Sequence, residues 1–169
     1  DAVWQSGLPV QVIRPSNGAM LRTSALRSQG PYMTITLRTS TWDPIRDGNL
    51  ETWYEAYQKL EKALGFKIYV IPDYDDVCAE QKFKRYGWET CEWISMEADT
   101  RLALYSESKI NICMAGGITS LMYLLERVPF ISFGNLNSKS RISSKRFYEV
   151  EKWEIGTQPQ WLSVGQYFD

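Results

Sequence analysis

Residues 50–72 have the sequence LETWYEAYQKLEKALGFKIYVIP, in which a helical pattern passes directly into a strand pattern. Apolar side chains recur at spacings that place them on one helical face: Leu50, Trp53, Tyr54, Tyr57 and Leu64. Asn49 is a suitable N-cap, and Gly65 is a suitable residue for ending the helix. The apolar, β-branched run at residues 67–71 then predicts a buried strand that stops at Pro72.

A strand pattern also precedes this helix. Residues 33–37 are Met-Thr-Ile-Thr-Leu, and the polar segment 38–48 separates them from the helix. A strand, a helix and a second strand within about 40 residues are typical of a βαβ unit. The two strands of such a unit lie parallel, and the crossover between them is right-handed.

A second unit of the same kind follows nearer the C-terminus. Residues 110–114 are strand-like, residues 115–117 form a tight turn, and a helix begins at Ile118. Residues 129–133 then form another strand. This alternation predicts an α/β fold with a doubly wound, mostly parallel, Rossmann-like sheet. Ligands of such sheets bind outside the carboxyl ends of the strands, where the strand order reverses.

Other segments carry additional elements. The patterns predict a strand at 10–13, a loop over 14–31, a helix over 79–86, a short strand at 93–94, and a helix over 100–107 that Asp99 caps. Residues from 134 onward show only weak periodicity.

Composition excludes several classes of function. The 169 residues include 19 basic and 20 acidic ones, so nucleic acid is not an expected partner, because domains that bind it are usually basic. The sequence has no His, which excludes Ser-His-Asp and Cys-His catalysis. No apolar run approaches the roughly 20 residues of a transmembrane helix, and no signal pattern is visible. We therefore expect a cytoplasmic protein without a transmembrane segment.

The cysteines agree with a reducing compartment. Cys78, Cys91 and Cys113 are odd in number and widely spaced, which argues against a zinc or redox motif. Cys113 lies in a strand pattern, and we predict that it is a buried thiol.

The turn at residues 114–120 is one candidate binding element. Gly116 and Gly117 allow a ligand to approach the backbone, and Thr119 and Ser120 add hydroxyl donors at the start of a helix. The first N–H groups of a helix have no partner within it and favour an anion, so this turn could hold a diphosphate. An ordinary tight turn with Thr119 as helix cap is the alternative.

The segment after the first strand is the second candidate. It carries Arg38, Thr39, Arg46 and Asn49, and an Arg at a strand end can bind phosphate oxygens in a bidentate manner. Arg46 has the alternative of being a solvated surface charge. The two candidate segments meet only if their strands are close together in the sheet.

Two charged groups have mainly structural explanations. Asp73, Asp75 and Asp76 could bind a metal or a ribose, but an acidic turn after Pro72 is the favoured interpretation. A basic cluster near the C-terminus could meet an anionic acceptor, but a solvated loop is favoured there: Lys139, Arg141, Lys145 and Arg146.

Taken together, residues 33–134 resemble the C-terminal, donor-binding half of GT-B glycosyltransferases, such as heptosyltransferase-like and surface-carbohydrate enzymes of bacteria. The resemblance rests on an Arg-bearing loop early, a helix with a Gly stop, and a Gly turn, helix and Pro-led strand late. It implies binding of a nucleotide diphosphate sugar and its transfer to an acceptor that the sequence does not identify.

The resemblance also implies roles for particular residues. Gly116, Gly117, Thr119 and Ser120 match the turn at the donor diphosphate, and Arg38 and Arg46 match the phosphate-neutralising loop. Transfer in this family needs no metal, so no metal or cofactor is expected. The family's ribose-binding Glu has no counterpart, because the corresponding stretch here is Leu-Met-Tyr-Leu at 121–124.

The resemblance suggests a division of the chain into three parts. Residues 1–32 are a strand and loop left from a linker or an upstream half, 33–134 are the Rossmann-like domain, and 135–169 are a tail that packs on it. A missing N-terminal half and a homo-oligomer both stay open as ways to complete the protein. A non-catalytic binding module and an epimerase relative using Asp73 and Asp75 stay open as functions.

Overall fold

The computed structural model of the protein describes residues 13–39, 47–72, 79–91, 94, 96–114, 116–117, 119–125, 128–133 and 165–168. The strands in these ranges are β1 (Tyr32–Leu37), β2 (Lys67–Pro72), β3 (Asn111–Met114), β4 (Phe130–Phe133) and β5 (Gly165–Phe168). The helices are α1 (Asn17–Arg22), α2 (Ser24–Arg27), α3 (Leu50–Leu64), α4 (Ala79–Lys84), α5 (Ala98–Ser106) and α6 (Thr119–Leu124). None of these helices is both long enough and apolar enough to cross a bilayer.

The strands form one sheet in the order β2-β1-β3-β4-β5, and every neighbouring pair is parallel. The chain moves outward from β1 to β2, returns past β1 to β3, and then continues to β4 and β5. The order therefore reverses between β1 and β3, which is the switch point of a doubly wound sheet. The predicted α/β, Rossmann-like fold with a parallel sheet is confirmed.

Hydrophobic clusters cover both faces of the sheet. Met33 and Ile35 of β1 pack in a cluster to which the apolar side of α3 contributes. Tyr32 points the other way and packs in a second cluster with Leu104 of α5 and Met122 of α6. Successive side chains of a strand alternate between faces, so burial on both sides explains why these strands are continuous apolar and Thr-containing runs.

The ends of α3 are set by local chemistry. The Oδ1 atom of Asn49 accepts hydrogen bonds from the backbone N–H groups of Glu51 and Thr52, at 3.0 and 3.2 Å. At the other end Gly65 has a φ of 60°, a left-handed conformation that glycine adopts without steric cost. Its N–H donates to the carbonyl of Glu61. The predicted cap and the predicted helix end are both confirmed.

A buried polar network joins strands and helix on the second face. The hydroxyl of Thr34 donates to Oδ1 of Asn111 at 2.6 Å. The Nδ2 atom of Asn111 donates to the carbonyls of Tyr105 and Pro129, at 3.1 and 3.2 Å. The hydroxyls of Thr36 and Tyr105 are 2.8 Å apart. Buried polar groups require such partners, so this network fixes the position of β3 between β1, α5 and β4.

The predicted loop over 14–31 is wrong in part, because α1 and α2 lie within it. The Oγ atom of Ser16 accepts from the N–H of Ala19 at 3.1 Å, which caps α1. The same hydroxyl donates to Asp99 at 2.6 Å, and the Ser16 N–H donates to the other carboxylate oxygen at 2.9 Å. These long-range bonds stabilise a helix too short to be marked by periodicity.

The predicted N-cap role of Asp99 is wrong. Helix α5 begins at Ala98, and Asp99 lies within its first turn rather than at the N-cap. Its carboxylate is engaged by Ser16 instead, and these hydrogen bonds hold the pKa of Asp99 below its usual value.

The predicted short strand at 93–94 is wrong at Ile94, the residue of the pair that the structure describes. The N–H of Ile94 donates to the carbonyl of Cys91 at 3.1 Å, which is a turn rather than an extended conformation. The strand-like contact lies earlier, where Thr90 forms a parallel bridge with Val70. This bridge pairs part of the outer edge of β2 and so limits the exposed edge.

The remaining elements lie in the middle of the chain and near its two ends. Helix α4 ends at Lys84, two residues before the predicted end. Residues 10–12 of the predicted first strand lie outside the described residues, and Ile13 forms a parallel bridge with Leu125. Strand β5, which the sequence pattern did not predict, pairs with β4.

Replacing Asn49 tests the cap. We expect Asn49→Ala to lower the free energy of unfolding by about 1 kcal/mol, because two backbone N–H groups of α3 lose their acceptor. Urea denaturation measures the change. Asn49→Asp is the matched control, since Asp retains a capping oxygen and should stay close to the wild-type stability. An Asn49→Ala variant that is as stable as the wild type would contradict the role of the cap.

Replacing Asn111 tests the buried network. We expect Asn111→Leu to lower the unfolding free energy by about 1–3 kcal/mol, because the hydroxyl of Thr34 is left buried without its acceptor. The double variant Asn111→Leu/Thr34→Val should recover part of that loss, since both polar partners are then removed. Simple additivity of the two single changes in denaturation experiments would show that the network does not couple them.

Candidate ligand-binding site

The two candidate segments start at neighbouring strand ends. Strands β1 and β3 are hydrogen-bonded to each other, with Thr36 opposite Cys113. The next residues on each strand are the last ones, so Arg38 and the Gly turn after Met114 both follow at the carboxyl edge. The condition for the two segments to meet is therefore satisfied.

Arg38 is held close to the strand end. Its side chain is only 14% exposed, and its Nε atom lies 3.8 Å from Oδ1 of Asp47. Its carbonyl accepts a hydrogen bond from the N–H of Gly48 at 3.1 Å, which joins the two described ends of the segment. Thr39 is buried beside it. The guanidinium therefore lies at the carboxyl edge, with a carboxylate nearby that a bound phosphate would have to outcompete.

Gly48 brings the start of α3 against the end of β3. A Cβ atom at this position would lie 2.5 Å from Sδ of Met114 and 2.7 Å from Nε1 of Trp53. Trp53 in turn makes an edge-to-face contact with Phe133 of β4, with ring centroids 5.7 Å apart. Glycine is thus the residue that permits this close packing, although the sequence analysis did not select it.

The Gly turn presents open space. Gly116 is half-buried and Gly117 is exposed, and no atom of the described residues lies within 4 Å of a Cβ built on Gly117. Its φ is not in the left-handed region, so the backbone conformation does not require glycine there. Thr119 and Ser120 are the first two residues of α6, as the predicted turn requires.

Asn49 has a structural task. Its side-chain oxygen is the acceptor for the first N–H groups of α3, so this atom is engaged by the protein itself. Arg46 lies outside the described residues, as do Asp73, Asp75, Asp76 and the basic cluster near the C-terminus. A ligand-binding role of the selected residues stays a prediction.

The two described cysteines lie in the core. Cys91 and Cys113 are both buried thiols, which confirms the prediction for Cys113. Burial, with a smaller contribution from Glu89, raises the pKa of the Cys91 thiol to about 12. A thiol with such a pKa stays protonated at neutral pH and is a poor nucleophile.

Arg101 is a charged residue that the sequence analysis missed. It lies on α5 and is only 1% exposed. Its Nη2 atom donates to the carbonyl of Pro72, the last residue of β2, at 2.5 Å. The available signal was the spacing of Arg101 and Tyr105, which places both on one helical face.

Comparisons with protein-family models, curated proteins and solved structures gave no match. A function for this chain therefore rests on the chemistry of the residues at the carboxyl edge of the sheet.

Alanine substitutions at two glycines test this geometry. We expect Gly48→Ala to lower the unfolding free energy by about 1–3 kcal/mol, because the added methyl group clashes with Met114 and Trp53. Gly117→Ala is the matched control and should change stability by less than about 0.5 kcal/mol, since its methyl group enters open space. Denaturation curves with equal losses for both variants would contradict the described packing.

Proposed function

We propose that the protein is the donor-binding domain of a glycosyltransferase, which binds a nucleotide diphosphate sugar at the carboxyl edge between β1 and β3. The observation that carries the proposal is the adjacency of these two strands at the switch point. It brings the strand end that carries the half-buried Arg38 beside an exposed Gly turn, and doubly wound sheets bind their ligands at this place.

Each segment has a distinct task in this proposal. The backbone at Gly116 and Gly117 lets the diphosphate approach closely, and the N–H groups at the start of α6 face it. Arg38 contributes positive charge, which stabilises the negative charge that grows on the leaving diphosphate during sugar transfer. Asp47 competes with a bound phosphate for this cation, so Arg38 contributes less to binding than it would without that carboxylate.

A non-catalytic nucleotide-binding module is the second candidate. The observation that favours it is the absence of His from the sequence, which leaves acid–base chemistry to carboxylates, Tyr or Lys. Both candidates require the same binding site, and they differ only in whether the bound sugar is released.

A thermal-shift screen with nucleoside diphosphates and their sugars tests binding. We expect nucleotides of one particular base to stabilise the protein. At 100 times its dissociation constant, a ligand adds about 2.7 kcal/mol to the free energy of unfolding. This corresponds to a rise in Tm of roughly 5–10 °C. Gly117→Val should abolish the rise without lowering the Tm of the unliganded protein, because the side chain occupies the open space above the turn. Arg38→Ala should reduce the rise.

Gly18→Ala is the control variant for this screen, because a Cβ at Gly18 makes only ordinary contacts and the residue lies in α1. It should retain the full ligand response. Binding that survives Gly117→Val would place the ligand elsewhere. Release of nucleoside diphosphate from the bound sugar nucleotide would identify the enzyme rather than the binding module.

A further inference from the structure

The buried guanidinium of Arg101 lies at the same edge of the sheet as the proposed donor site. Its partner Pro72 is opposite Leu37 in the register of β1 and β2, and Arg38 follows Leu37 directly. One helical turn further along α5, Tyr105 meets Thr36 of β1. The side chain of Arg101 is therefore level with the ends of β1 and β2.

The charge of Arg101 lacks a neutralising partner within the described part of the chain. No carboxylate oxygen of those residues lies within 4.0 Å of its nitrogen atoms, and its buried Nε atom has no hydrogen-bond partner. The carbonyl of Pro72 supplies one neutral acceptor. A buried arginine normally has a carboxylate or another anion, because taking its charge out of water is costly.

We infer that Arg101 is a phosphate-binding residue, which completes the anion site at the carboxyl edge together with Arg38. The inference rests on the proposed function for the identity of the ligand, a nucleoside diphosphate. The chemistry that it needs is more general, since a guanidinium fork matches two oxygens of any phosphate group. A fixed ion pair with an acidic residue of segment 73–76 is the rival explanation.

Arg101→Met separates these explanations in the full chain. Methionine has a similar length and no charge, and replacing an unneutralised buried charge by an apolar side chain is neutral or stabilising. We expect the unliganded variant to melt at the wild-type Tm or above it. We expect its affinity for pyrophosphate and for the bound nucleoside diphosphate to fall about 10- to 100-fold, as for a lost charged hydrogen bond.

Two further variants complete the series. Arg101→Lys keeps the charge without the planar fork and should bind more tightly than Arg101→Met but more weakly than the wild type. Arg27→Met is the matched control, because Arg27 also donates to a carbonyl, that of Met20 at 2.5 Å, but lies near the start of β1. It should leave the affinity for both ligands unchanged. Titration calorimetry at constant ionic strength gives the dissociation constants.

The outcomes distinguish this inference from the proposed function. A clear fall in the unliganded Tm of Arg101→Met, or its failure to fold, would show that Arg101 has a structural role and would overturn the inference. Nucleotide binding that is unaffected in Arg101→Met would also overturn it while leaving the donor site intact. Arg101-dependent binding of pyrophosphate without any nucleotide binding would support the anion site and reject the donor. No binding of either ligand by the wild type would reject both.

Discussion

The side-chain amide of Asn111 is the constraint on which the arrangement of this sheet depends. It is fully buried, and its oxygen and nitrogen have to find partners inside the protein. Thr34 provides the donor, and the carbonyls of Tyr105 and Pro129 provide the acceptors. A shift of β3 by one residue would turn Asn111 to the opposite face, where a hydrophobic cluster offers no such partners.

The geometry of the candidate site follows from this register. Because Thr34 is opposite Asn111, Thr36 is opposite Cys113 and the two strands end side by side. Gly48 lies against the end of β3, where its lack of a side chain allows close contact with Met114. Hydrogen bonds in the core thus determine where Arg38 and the Gly turn lie at the carboxyl edge of the sheet.

Sequence reasoning succeeded where the signals are local. Asn49 and Gly65 mark the ends of α3 through hydrogen bonds to nearby residues. Strands β1 and β2 are recognisable from their continuous apolar and β-branched runs. It failed for α1, whose cap Ser16 depends on Asp99 across 83 positions, and for β5, which is defined by its pairing with β4. The adjacency of β1 and β3 could not be predicted either, because two βαβ units can be combined in several strand orders.

Arg38 and Arg101 present opposite electrostatic situations at one edge. Arg38 is partly exposed and has Asp47 at 3.8 Å, so its charge is balanced before any ligand arrives. Arg101 is buried beside a neutral carbonyl, and its desolvation is offset only in part. An anion therefore gains more binding free energy from Arg101 than from Arg38, because at Arg38 it has to compete with the carboxylate of Asp47. A sequence selected for stability alone would place an apolar side chain at position 101, and the cost of the arginine is understandable if an anion binds there.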